Sequence, residues 1–140
     1  EADDLGNLGN AYYSLGEVRR AIEYYEQALE IDREIGYRRG EGIWLGNLAN
    51  AYRQLGQPKQ AVKYAEQGLL IARQLEDPVS EAWRLWDLGR AHQDLGQIAQ
   101  ATQCAQQTLE IFEAIGFPQA DQVRAWLAAL EESDTNVGTE

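Results

Sequence analysis

The sequence predicts an all-α protein, a solenoid of three helix-turn-helix units followed by a half unit. Three observations predict it. The chain repeats itself at a fixed period of 40 residues. Each period holds two stretches of apolar residues at helical spacing. A Leu-Gly pair closes the first stretch every time, at Leu15-Gly16, Leu55-Gly56 and Leu95-Gly96. Laying residues 1–40 on 41–80 gives 17 identities, and 41–80 on 81–120 gives 14. Such a period marks an array of supersecondary units, none able to bury its apolar face alone.

The first helix of unit one is expected near residues 3–14, where Leu5, Leu8, Ala11, Tyr12 and Leu15 share a face. Gly16 then closes it, because glycine adopts the left-handed conformation after a helix without steric cost. The second helix starts near residue 18, with Ala21, Ile22, Tyr25, Ala28 and Leu29 on its apolar face, and runs to Ile35. It is therefore expected to be longer than the first. Pro58 stands where unit two's second helix begins, a position that needs no backbone N–H donor.

Links between units are expected at residues 36–40, 76–80 and 116–120, which are polar or turn-like. A half unit follows at 121–132, carrying Val123, Trp126, Ala129 and Leu130. Residues 133–140 show no apolar pattern and read as a loose tail. The domain expectation is thus one array over 1–132, with units 1–40, 41–80 and 81–120, and a tail over 133–140. Gly9, Ala49, Gly89 and Ala129 share one phase, and Ala21, Ala61 and Ala101 another. Small residues at such positions let helices approach closely.

Net charge is −11, with 23 acidic against 12 basic residues. No basic stripe interrupts it, so nucleic acid and anionic membrane surfaces are not expected partners. No apolar run nears the roughly 18 residues of a membrane span. The single Cys104 excludes an internal disulfide and fits a reducing, cytoplasmic setting. The chain holds no Met and starts inside a unit, so it is expected to belong to a longer protein. Its two cut ends are expected to be sticky, with Val123, Trp126 and Leu127 favouring end-to-end self-association.

The repeated residues resemble the tetratricopeptide repeat. Unit one supplies Leu5, Leu8-Gly9, Tyr12, Ala21, Tyr25 and Ala28. Unit two supplies Leu45, Leu48-Ala49, Tyr52, Ala61, Ala65 and Gly68. Unit three supplies Leu85, Leu88-Gly89, His92, Ala101, Ala105 and Thr108. The period departs from that family's usual length of about 34. It is similar to the long-repeat branch of LGN/Pins-type adaptors, kinesin light chains and bacterial multidomain regulators. The resemblance implies a right-handed α–α superhelix whose first helices line a concave groove that binds a partner's peptide.

The resemblance then points to Asn7, Asn10, Asn47, Asn50, Arg53, Trp83, Trp86, Asp87 and Arg90 as concave-face residues. Asparagine forms helices poorly, yet Asn7/Asn10 and Asn47/Asn50 recur on one face. An amide donates and accepts, so a row of them can pair with a peptide backbone. The alternative is that the amides tie neighbouring helices together or simply face water. In unit three Asp87 and Arg90 replace the asparagines, and Trp83 and Trp86 join them. Arg90 could hold a partner's carboxylate, and tryptophan offers anchoring area. Alternatively, Asp87 pairs with Arg90, and Trp86 packs on Trp126.

No catalytic constellation is readable, so no enzyme, cofactor or metal is expected. His92 occupies the slot of Tyr12 and Tyr52, and reads as a packed substitute. Cys104 stands where Tyr24 and Tyr64 stand, with no base at recognisable spacing. The expected function is a protein-interaction module. The alternative is a regulatory or sensor arm of a larger signalling protein, making contacts within its own chain.

Overall fold

A computed structural model describes residues 1–137. It contains α1 (Ala2–Ser14), α2 (Val18–Ile35), α3 (Arg38–Gln54), α4 (Pro58–Gln74), α5 (Pro78–Asp94), α6 (Ile98–Ala114) and α7 (Ala120–Val137). Among the described residues there is no strand. The helices pack as consecutive antiparallel hairpins, α1 on α2, α3 on α4 and α5 on α6, with α7 against α6. Each hairpin also docks on the next through α2 with α3 and α4 with α5.

First helices additionally approach first helices along their backbones, α1 with α3 and α3 with α5, whereas second helices stay further apart, α2 reaching α4 through side chains such as Arg33, which donates to Gln67 at 3.1 Å. This asymmetry bends the stack, with α1, α3 and α5 on its inner side. The glycines after the first helices take the expected left-handed backbone, at φ +82° for Gly16 and +74° for Gly56 and Gly96. Pro58 opens α4 as read from the sequence.

Three boundaries differ from expectation. The first two links between units are two and three residues, 36–37 and 75–77, rather than five, whereas the third, 115–119, has the five expected. Arg38 and Pro78 already lie in α3 and α5. Asp77 caps α5 by accepting from the Ser80 backbone N–H at 3.2 Å and the Ser80 hydroxyl at 2.7 Å. Pro78 fills the first helical position, where its missing N–H costs nothing. Hence the second helix exceeds the first only in unit one, 18 residues against 13; α3, α4, α5 and α6 have 17 each.

The expected tail at residues 133–140 is helical as far as Val137, and residues 138–140 lie outside the described part. No helix-stopping glycine or proline occurs before Gly138, and extending an existing helix is far easier than starting one. Ser133 and Thr135 satisfy their hydroxyls on the carbonyls of Ala129 and Glu132.

The core follows the small–large alternation. Ala21, Ala61 and Ala101 are fully buried, and so are Leu45, Leu48 and Phe112. A side chain on Gly9 would run into the Tyr25 ring, so glycine is what lets α2 lie against α1. Ala129, in the same phase, is exposed, because no helix packs over that side of α7 among the described residues. The apolar residues expected at a sticky C-terminal end are mostly covered. Val123 is fully buried and Trp126 nearly so, against α5 and α6, and Leu127 is half-buried. The open apolar end is instead α1. Leu8 is 40% exposed, whereas its counterparts Leu48 and Leu88 are 0% and 8% exposed.

Candidate functional site

The inner layer of first helices carries the residues singled out in the sequence. At the seam of α1 and α3, Asn10 Oδ1 accepts a 2.6 Å hydrogen bond from the Tyr25 hydroxyl. Asn47 Nδ2 donates to the same oxygen at 3.5 Å. Burial pushes the Tyr25 phenol up to about 12, with the neighbouring Tyr13 hydroxyl adding to it, so Tyr25 remains a donor. Asn10, Tyr13, Tyr25, Asn47 and Asn50 line a cavity of about 190 Å³. Asn7 and Asn10 are exposed, and Asn47 and Asn50 are half-buried. Asn10 and Asn47 therefore tie neighbouring helices together, the alternative weighed from the sequence, while Asn7 and Asn10 also face solvent.

Arg53 and Asp94 close the next seam, between α3 and α5. Arg53 Nε donates to Asp94 Oδ2 at 2.6 Å, and Nη2 reaches Oδ1 at 3.5 Å. Arg90 makes no hydrogen bond or ion pair among the described residues. Its guanidinium carbon lies 5.9 Å from the Trp86 ring centre and 5.6 Å from that of Trp126. Guanidinium faces are attracted to indole faces at this range. Burial lowers the Arg90 pKa, the like charge of Arg53 lowers it further, and Asp94 opposes both. An arginine still stays charged at any ordinary pH. Trp86 stacks obliquely on Trp126, centres 5.5 Å apart, and Trp126 Nε1 donates to Gln93 Oε1 at 2.9 Å. The packing alternative weighed for Trp86 is therefore correct, and the same packing fixes Arg90.

Two residues depart from the expected groove role. Trp83 turns toward the second helix and is packed edge-on to Phe112 at 5.3 Å and Phe117 at 6.2 Å. It is a core-wall residue, closing a ring cluster with Phe112 and Phe117 while its other side meets Trp86 at 5.7 Å. Asp87 is 5% exposed and pairs with Arg84, not Arg90. One helical turn separates Arg84 from Asp87, so both point into the same α3–α5 seam.

Arg84 was not singled out in the sequence, yet it organises this seam. It lies over Gly46 and Gly68, where a β-carbon would collide with it, and donates to the Gly42 carbonyl at 3.0 Å. The signal was its phase. Trp44, one period earlier, covers Gly6 in the same way and donates to buried Asp32 at 2.8 Å. Gly6 and Gly46 are thus platforms for the next unit. His92 Nδ1 lies 2.6 Å from Gln97 Oε1. Cys104 is buried in α6, and burial pushes its thiol up to about 11. Among the described residues no acidic, histidine or cysteine cluster could hold a metal ion, and no helix is long and apolar enough to cross a membrane.

These features define a class, a solenoid of antiparallel helical hairpins with a polar inner seam. The chain belongs to the tetratricopeptide repeat family, whose model matches residues 3–74 and again 41–114. No curated protein sequence matches the chain. Among solved structures it is similar to the apo form of RapI, with TM-score 0.91, 19% identity, and coverage of 99% of this chain and 51% of RapI. The chain thus spans about half the length of RapI. It is similar to a putative kinesin light chain with nearly identical repeats from Podosopora anserina. There the TM-score is 0.84 and the identity 24%, over 98% of this chain and 68% of that one. It is also similar to the first repeat domain of Spaghetti (RPAP3), bound to the HSP90 peptide SRMEEVD. The TM-score is 0.79 and the identity 19%, over 96% of this chain and 94% of that one.

Proposed function

We propose that this chain is a non-catalytic interaction module that holds an extended segment of a protein partner along the inner faces of α1, α3 and α5. The partner's backbone runs past Asn10, Asn47 and Asn50, and an acidic group sits near Arg90. The observation that carries this reading is Arg90, a guanidinium with no anionic partner among the described residues, held by Trp86 and Trp126 beside Arg53. A carboxylate would complete it with charge-assisted hydrogen bonds. The similar Spaghetti domain supports this reading, since the HSP90 peptide bound to it, SRMEEVD, contains Glu and Asp.

A random decapeptide array tests this reading. Bound sequences should be enriched in Asp and Glu. Arg90→Glu should lose that enrichment, and Asn47→Ala with Asn50→Ala should weaken binding across all sequences. Equal binding by the Arg90→Glu protein would remove the acidic-partner reading.

A further inference from the structure

The repeat allows one slot to be compared three times in the same molecule. In unit three it lies between the start of α5 and the end of α6, and three rings fill it. Trp83, Phe112 and Phe117 stack with centres 4.9–6.2 Å apart. One period earlier these positions are Ile43, Ala72 and Asp77. The side chains lost are large, and nothing replaces them. A cavity of about 100 Å³ stands there instead, lined by Ile43, Ile71, Ala72 and Leu75 with Arg39, Asp77 and Arg84 among its polar residues. Ile43 and Leu75 are 47% and 39% exposed, so its apolar wall reaches the surface. In unit one the matching positions are Asp3, Asp32 and Tyr37, and the slot widens into a shallow hollow.

We propose that the unit-two slot is a socket for one aromatic side chain of a protein partner, with an acidic residue beside it. This site is distinct from the face that carries Asn10, Asn47 and Arg90, although Arg84 bounds both it and the α3–α5 seam. The chemistry of the occupant is read from unit three, where the same backbone frame accepts a six-membered ring against the end of its second helix. The size agrees, since an engineered cavity of about 150 Å³ takes a free benzene. A phenyl entering an open slot needs less. The polar lining sets the flanking charge. Two guanidiniums, Arg39 and Arg84, face one carboxylate, Asp77. Asp77 is engaged by Ser80 and by Arg39 at 3.1 Å, and Arg84 by the Gly42 carbonyl and Asp87, but each guanidinium carries five N–H donors and keeps some beyond these contacts. An anionic neighbour on the partner is therefore favoured over a cationic one, and the ring can also meet a guanidinium face.

The test uses the whole chain, ¹⁵N-labelled, titrated with blocked peptides. Acetyl-Asp-Phe-Gly-amide should shift the amides of Gly42, Gly68 and Ala72 with a roughly millimolar affinity, as expected for one anchoring side chain. Acetyl-Lys-Phe-Gly-amide should bind about fivefold more weakly or worse, and acetyl-Asp-Ala-Gly-amide should leave these amides unmoved. Ile43→Trp, at a half-exposed position, should fill the slot and abolish the shifts. Ala72→Leu repeats that test should Ile43→Trp fail to fold. Arg90→Glu should change nothing here, which separates this site from the inner seam. The proposal is overturned if those amides stay still at about 10 mM peptide. It is also overturned if the filled slot still binds, or if free phenylacetate binds where the Asp-Phe peptide does not.

Discussion

Arg84 Nε stands 3.0 Å from Asp87 Oδ2, both drawn out of water by the seam between α3 and α5. The N–H is turned off the line to the carboxylate, so neither Nε nor Oδ2 completes a hydrogen bond with the other. The charges attract without a well-formed bond. Burial therefore outweighs the pull of Arg84, Asn50 and Arg53, and pushes the Asp87 carboxyl up to about 6.

This shift has a consequence for stability. The native pKa lies above the ordinary 3.8 of an unfolded Asp. Between those values the folded state keeps a proton that the unfolded chain has lost, so stability falls as pH rises from about 4 to about 6. Asp87→Asn should remove this slope. Urea melts across that range should show wild type losing on the order of 2–3 kcal/mol relative to the variant. A constant difference between the two proteins would contradict the raised pKa.

Gly6 and Gly46 occupy the same place in successive units but carry different roofs. A methyl on Gly6 meets the rigid ring of Trp44, which is held by Asp32. A methyl on Gly46 meets the far end of the flexible Arg84 side chain, which can shift at the cost of its hydrogen bond to the Gly42 carbonyl. Gly6→Ala should cost about 2 kcal/mol. Gly46→Ala should be nearer neutral, since alanine recovers about 1 kcal/mol of helix propensity. Equal costs in denaturant melts would refute the distinction.

Leu8 and Leu48 are one residue in the repeat and two in the fold. Leu48 is covered by the preceding hairpin, and among the described residues no such hairpin covers Leu8. Leu48→Ala should cost about 3 kcal/mol and Leu8→Ala under about 1 kcal/mol. Thermal melts of the two variants give the comparison directly.

Glu76 adopts φ +52° after α4, where the corresponding Gly36 and Gly116 sit at +74° and +69°. An L side chain with a β-carbon is strained there. Glu76→Gly should raise stability by about 0.5–1 kcal/mol, and Gly36→Ala should lower it by a similar amount. A stability loss on Glu76→Gly would show that the side chain does more than tolerate its backbone.

The period, the hairpins and the turn glycines were legible because each is a local pattern written three times. Leu15-Gly16 says helix end whatever surrounds it. The short links were less legible, because Asp77-Pro78 and Gly36-Tyr37 look like loops yet cap helices. The inner seam was half legible. Phase alone places Asn10, Asn47 and Arg90 on the first helices, but not what each meets. Trp83 and Asp87 share that register, and both turn inward once Phe112, Phe117 and Arg84 are near. Those neighbours lie on another helix, or in a role that only packing assigns. The end of α7 escaped notice because a helix already begun continues through polar residues such as Ser133 and Thr135.

The central claim is that the inner seam, not the acidic outer face of α2, meets the partner. Backbone amide mapping with an array-selected acidic peptide tests it most directly. The account predicts shifts confined to Asn47, Asn50, Arg53 and Arg90 and their neighbours. Shifts centred on Glu23, Glu26 and Glu30 of α2, with the inner residues unmoved, would contradict it.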